Sequence, residues 1–318
     1  MRIGLMVGPE RGRYRTKVER LQSDCRWAED AGLESVWVPQ IPDDFDALTA
    51  AAVIGTVTSR IEIGTAVVPV QPRHPIALAQ QALSVQAVCQ GRLSLGVGVS
   101  HHWIIDDMLG LPYVHPRRTM EAYLDVLEQA LARPGTVDVE NALFRIHCPL
   151  DVTDIGPTPV LIAALGPRML QLAGERTQGT VLWMADERAI ATHVVPTLNQ
   201  AAEAAGRPTP RVVAGIPVCV CTDREVPAAV ERANRILAEA EVSPNYQHLL
   251  EHGDARTVGD ILAAGSEDTI EKRLGAFSDA GVTDLSVRVL PVGRGREELI
   301  ASSTRTREFV AALAGRRP

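Results

Sequence analysis

Aromatic residues are scarce in this chain: Phe, Trp and Tyr make up 4% of its 318 residues, against 46% hydrophobic residues overall. The interior must therefore be filled by Ala, Val, Leu and Ile, and that much apolar surface excludes a disordered chain. Cysteine is scarce too. Cys25, Cys89, Cys148, Cys219 and Cys221 form an odd set without framework spacing, which argues against a secreted disulfide scaffold. Cys219-Val-Cys221 is not a redox C-x-x-C and reads as strand interior. Cys25 and Cys89 match apolar helix faces, and Cys148 is expected on a loop. Excess positive charge is missing: the net charge is −7 and the pI about 5.7. That leaves no electrostatic footprint for nucleic acid or an anionic membrane, and the short basic runs at 11–15 and 316–317 read as solvated surface. No long apolar run is present, and the chain enters the strand MRIGLMV with no leader pattern, so a cytoplasmic protein is expected. The turn after that strand, GPERGRY, lacks the G-x-G-x-x-G spacing of dinucleotide folds.

What the chain has is alternation. Residues 60–102 show it best: an apolar strand ending in Ala66-Val67-Val68, then Pro69, Pro72 and Pro75, which forbid a continued ladder. Pro75 suits the first position of a helix with Ile76, Ala79, Leu83, Ala87 and Val88 on one face. The next strand ends in Gly96-Val-Gly98-Val-Ser100-His101-His102, placing glycines and hydrogen-bonding side chains at a strand end. Similar units recur to the C-terminus, eight in all. They predict one α/β domain over residues 1–318, a (β/α)8 TIM barrel, with irregular insertions at about 134–157 and 243–265 on the C-terminal face, where such barrels keep their sites. A doubly wound open sheet is the competing architecture.

Several groups carry chemistry. Leu165-Gly166-Pro167-Arg168 opens a helix after the fifth predicted strand, where free N–H groups, the helix dipole and Arg168 suit an anion such as a cofactor phosphate. Only one of His101 and His102 can face a pocket from an extended segment. Gln40, before Ile41-Pro42, is read as facing the site; Trp37 reads as core packing, while Trp183 ends the sixth strand. His248-Leu-Leu-Glu-His252 matches the zinc-peptidase pattern H-x-x-E-H, but no third ligand is legible and a helix lidding the barrel mouth is the better reading.

The segments Gly64-Thr-Ala-Val67, Arg73-His-Pro75 and GRLSLGVG from Gly91, with VGVSHH, residues 138–170 and GTVLWMA from Gly179, resemble the bacterial luciferase-like superfamily of TIM barrels, and within it the actinobacterial oxidoreductases that use coenzyme F-420, a deazaflavin. The resemblance spans nearly the whole chain. It implies hydride transfer between coenzyme F-420 and a small organic substrate, with an FMN-dependent monooxygenase or a catalytically silent flavin-binding protein as alternatives. It further implies a bulge with a non-proline cis peptide at Ala66-Val67 beneath the cofactor ring. Gly98, Ser100 and His101 would flank that ring, and His101 would supply a hydrogen bond or proton near the reacting carbon. Ala164, Leu165, Gly166, Pro167 and Arg168 would hold the phosphate, helped by residues 174–179. Arg117, Arg118 and Arg168 would form a basic exit for the longer F-420 tail. Gln40 joins His101 as a candidate catalytic residue, and a homodimer is expected.

Overall fold

The computed structural model describes residues 1–8, 15–132, 134–237 and 244–316. Its strands are β1 (Arg2–Met6), β2 (Ser35–Val38), β3 (Glu62–Thr65), β4 (Val68–Pro69), β5 (Leu93–Gly98) and the pair β6 (Gly135–Glu140) and β7 (Arg145–Leu150). Then follow β8 (Val160–Ala163), β9 (Gly179–Trp183), β10 (Arg211–Val220), β11 (Ala263–Gly265) and β12 (Asp284–Val289). The helices are α1 (Lys17–Asp30), α2 (Ala47–Gly55), α3 (Pro75–Val88), α4 (Pro116–Ala132), α5 (Pro167–Arg176) and the short α6 (Glu187–Ala189). After them come α7 (Val195–Ala204), α8 (Val226–Leu237), α9 (Pro244–Glu251), α10 (Glu267–Asp279) and α11 (Arg296–Gly315).

Parallel pairing runs β12-β1-β2-β3-β5-β8-β9-β10 and returns from β10 to β12, closing an eight-membered barrel. This is the TIM barrel expected from the alternation. Strands covered on both faces must be apolar throughout, and every residue of β2 and β5 is buried. The helices begin where the sequence supplies caps: Asp46 accepts from the Thr49 N–H, Ser266 from Thr269, and His74 Nδ1 from Ile76 just before Pro75.

The barrel interior is layered. At the lower end, Arg2, Glu62, Arg211 and Asp284, each the first residue of its strand, form one ionic plug. Arg211 meets Glu62 at 2.9 Å and Asp284 at 2.6 Å, while Arg2 meets the same two carboxylates at 2.5 and 3.1 Å. Burial pushes the Glu62 carboxyl up, but Arg211, the Ser94 hydroxyl and Arg2 outweigh it and hold the group below its ordinary range. Above the plug, Trp37, Leu161, Val181 and Val213 form an apolar layer, and the Trp37 Nε1–H donates to Ser35 Oγ.

The two insertions differ in origin. Residues 134–157 form the antiparallel hairpin β6–β7, but it follows helix α4 rather than a strand, so it springs from the αβ side. This corrects its expected place on the C-terminal face. The hairpin lies back along α4, where the Asn141 amide donates to the Ala122 carbonyl and Gln129 accepts from the Asp138 N–H. Cys148 belongs to β7 rather than a loop; the other four cysteines are buried, and all five are free thiols. The second insertion does reach the C-terminal face, since β11 pairs with Val218–Val220 at the upper end of β10. Ser243, where the second insertion was expected to begin, lies outside the described residues, as does most of the GPERGRY segment. Among the described residues, no helix is long and apolar enough to cross a membrane.

The plug generates a stability prediction. Arg211→Met leaves Asp284, whose side chain is 1% exposed, with a reduced set of partners. Urea unfolding is expected to show a loss of about 3 kcal/mol, and a loss under about 0.5 kcal/mol would contradict the plug's role.

Candidate active site

The third strand does not run straight. β3 stops at Thr65, the Ala66-Val67 peptide is cis at the position the resemblance implied, and β4 resumes at Val68. The neighbouring strand makes room for this step. A Cβ on Gly96 would lie 2.0 Å from the Thr65 carbonyl oxygen, and one on Gly98 would lie 2.7 Å from Val67 Cγ2. Thr65 locks the junction: its hydroxyl donates to the Gly96 carbonyl and accepts from the Gly96 N–H, at 2.8 and 2.9 Å. Ala66 and Val67 then rest on the Trp37 layer and face a cavity of about 1550 Å³ at the C-terminal ends of the strands.

Ser100 follows β5 with φ +56°, and Met184 follows β9 with φ +60°. Both are backbone positions of the kind that cluster at functional sites. His101 lines the cavity and His102 is exposed, which settles which of the pair turns inward. His101 stacks on Trp103, with centroids 5.8 Å apart and planes at 13°, and meets Tyr246 of α9 at 5.6 Å. Burial, with the neighbouring His102 charge second, holds the His101 imidazole below its ordinary 6.5, so it is neutral at neutral pH. Ser100 contributes its carbonyl to the Tyr113 hydroxyl at 3.2 Å.

Leu165, Gly166, Pro167 and Arg168 all line the same cavity, with Gly166 as the N-cap of α5 and Pro167 in its first turn. No side chain caps that helix, and a Cβ on Gly166 would meet nothing within 4 Å, so the helix N-terminus opens onto free space. His193 Nε2 lies 2.9 Å from the Leu165 carbonyl.

Ala164 and the segment 174–179, both expected at the phosphate, are elsewhere. Ala164 is 1% exposed and points into the surrounding core, while Ala163 takes the cavity side, because side chains alternate along an extended segment. Residues 174–179 end α5 and begin β9, at the opposite end of the barrel; Arg176 there binds Glu128 and Asp125. Gly98 lies behind Val67 and does not line the cavity. Gln40 lines it, with its Oε1 accepting from the Ala47 N–H at 3.0 Å. Trp37 is core; Trp183 is cavity wall.

The structure adds residues that the sequence did not single out. Trp103, Tyr113, Arg232, Arg235, Ser286 and Arg288 line the cavity, together with Arg117 and Arg118. From the second insertion, Tyr246 and His248 of α9 also line the cavity. His252 stacks on His193 at 4.2 Å and His248 lies 4.9 Å from His252, so a third histidine does join the pair. Among the described residues, no three donor side chains are arranged to hold a metal ion.

A sequence model of the luciferase-like monooxygenase family matches residues 1–284. The chain belongs to that family. A Mycobacterium tuberculosis protein named for coenzyme F-420-dependent oxidoreductase activity is 29% identical over 197 residues, covering 56% of this chain and 55% of that one. The chain thus spans about half the length of that relative. Luciferase-like barrels also appear among solved structures. The coenzyme F-420-dependent tetrahydromethanopterin reductase of Methanopyrus kandleri superposes with TM-score 0.75 at 21% identity, over 98% of this chain and 97% of that one. The oxygenating constituent of 3,6-diketocamphane monooxygenase of Pseudomonas putida, solved with FMN, gives TM-score 0.75 at 16% identity, over 100% and 99%. At those identities the two structures establish the shared barrel.

The close approach of β5 to the stepped third strand is testable in this luciferase-like chain. Gly96→Ala is expected to cost about 3 kcal/mol by overpacking, whereas Gly166→Ala should cost about 1 kcal/mol or less. Thermal melts of both variants check this, and equal melting temperatures would contradict it.

Proposed function

We propose that the chain is an oxidoreductase that binds coenzyme F-420 across the barrel mouth and exchanges hydride with a small organic substrate. The observation that carries this reading is the charge of the cavity. Arg117, Arg118, Arg168, Arg232, Arg235 and Arg288 line it, against one acidic side chain among the described lining residues, Glu121. Glu121 is itself paired with Arg117 at 2.8 Å. A chain with net charge −7 that collects guanidinium groups around one cavity is suited to a ligand with several negative charges. FMN carries one phosphate; the phospholactyl-oligoglutamate tail of F-420 carries several anions. Buried Arg232 Nε and Trp103 Nε1 have no hydrogen-bond partner and border the same space, which also fits a polar occupant.

When bound, the deazaflavin supplies the two-electron chemistry. The protein's part is placement. Ala66 and Val67 offer a convex apolar support for a flat ring, and the Trp37 layer beneath them keeps that support fixed. The α5 N-terminus with Arg168 suits the phosphate, and Arg117, Arg118, Arg232 and Arg235 suit the tail. Neutral His101 can accept a proton or a hydrogen bond beside the ring, and its packing on Trp103 and Tyr246 keeps water from that side.

Fluorescence titration of the purified chain distinguishes the readings. F-420 is expected to bind at least about 10-fold more tightly than FMN, a difference of about 1.4 kcal/mol. Added salt should narrow that difference, because it screens the arginines. Tight FMN binding with no response to F-420 would turn the assignment to the FMN-dependent monooxygenase reading.

A further inference from the structure

His101 packs against two rings, one near in sequence and one far. Trp103 stacks on it from two residues away, and Tyr246 of α9 meets it at 5.6 Å. Tyr246 is 7% exposed and belongs to a helix inserted between β10 and β12, so whatever places α9 also places the wall against His101. Leu249 gives that helix an apolar footing in the core. Apolar burial is non-directional and does not by itself fix where Tyr246 stands.

Two directional contacts do, and both come from the connection that follows β9. Asp186, 5% exposed, caps α6 by accepting from the Ala189 N–H through Oδ1 at 2.8 Å. Its Oδ2 accepts from the Asp254 and Ala255 N–H groups at 2.6 and 2.8 Å, just past the end of α9. Gly253 passes so close that a Cβ there would lie 2.2 Å from the same oxygen. A carboxylate that gathers backbone N–H groups from two segments is a strong anchor. In the π-helical turn Ile190–Val194, His193 stacks on His252 with centroids 4.2 Å apart and planes at 3°. Its Nε2 lies 2.9 Å from the Leu165 carbonyl, which fixes the plane that the ring presents to His252. Arg188 also meets Asp254, at 2.7 Å, but both side chains are exposed and such a pair contributes little. Tyr246 is six residues from His252, about 9 Å along a helix axis.

We infer that Asp186 and His193 are positioning residues for His101: they clasp the end of α9 and, through Tyr246, keep the imidazole packed inside the cavity. The inference rests on the reading that sets His101 beside the reacting carbon. It reaches the chemistry because burial is the main cause that holds the imidazole below its ordinary 6.5, with the His102 charge second. Tyr113 and Tyr246 stay neutral nearby, since burial raises both. Releasing α9 lets water reach the ring, and the His101 titration then moves up toward 6.5.

The test needs no substrate. Histidine-labelled chain is titrated by NMR, with His101→Gln assigning the His101 signal, and amide exchange of α9 is followed in parallel. Asp186→Asn keeps an oxygen for Ala189 and turns an amide NH2 toward the Asp254 and Ala255 donors. His193→Gln keeps a donor for Leu165 and removes the stacking ring. Each is expected to move the His101 titration up toward 6.5 and to speed α9 exchange about 10-fold. Tyr246→Ala should shift the titration in the same way, and adding Asp186→Asn to it should bring no further shift. A lowered melting temperature with the His101 titration unmoved in both clasp variants would overturn the inference. So would an unmoved titration in Tyr246→Ala, or a shift that Asp186→Asn adds on top of Tyr246→Ala. If Asp186→Asn does not fold, His193→Gln decides. The expected shifts in a chain that binds FMN and ignores F-420 would sustain the clasp while the proposed cofactor falls.

Discussion

The barrel mouth depends on two side chains that are absent. With no Cβ at Gly96 and Gly98, β5 lets the Thr65 carbonyl and the Val67 methyls approach to distances that any larger residue would block. Thr65 then fastens itself to both backbone groups of Gly96. That contact is a packing constraint first, and its consequence is the floor of the cavity. Ala66 and Val67 step inward over Trp37, Leu161, Val181 and Val213, so the same apolar layer fills the barrel and supports the site.

Charge is divided along the barrel axis. Below the apolar layer, Arg2, Glu62, Arg211 and Asp284 pair with one another and close the lower end. Above it, arginines from α4, α5, α8 and β12 surround a cavity in which Glu121 is the one acidic lining residue among those described. The overall composition is acidic, so this local field is invisible in the net charge. It arises because βα connections and a strand end, distant in sequence, are carried to one face by the barrel topology.

The barrel was legible because strands buried on both faces are apolar runs and the intervening helices carry caps; β2, β5 and the Pro75 start of α3 read directly. The step at Ala66-Val67 and the helix opening at Gly166 were legible from resemblance, glycine and proline. The origin of the β6–β7 hairpin was misplaced, since composition shows an irregular stretch but not which side of a helix it leaves from. Ala164 was misassigned by a single register step, which in an extended segment reverses the face. Arg232, Arg235, Tyr246, Ser286 and Arg288 were missed. Their meeting is purely tertiary: α8, α9 and β12 each look like ordinary elements until the chain closes. His193 beside His248 and His252 is the same case, a contact across some fifty residues that no local pattern announces.

A crystal structure of the chain grown with F-420 tests the central claim most directly. The account predicts the ring lying against Ala66 and Val67, its phosphate at Gly166–Arg168, and its tail running past the rim arginines. A ring seated against β12, or a tail leaving over Arg288 instead of the α4–α5 side, would contradict it.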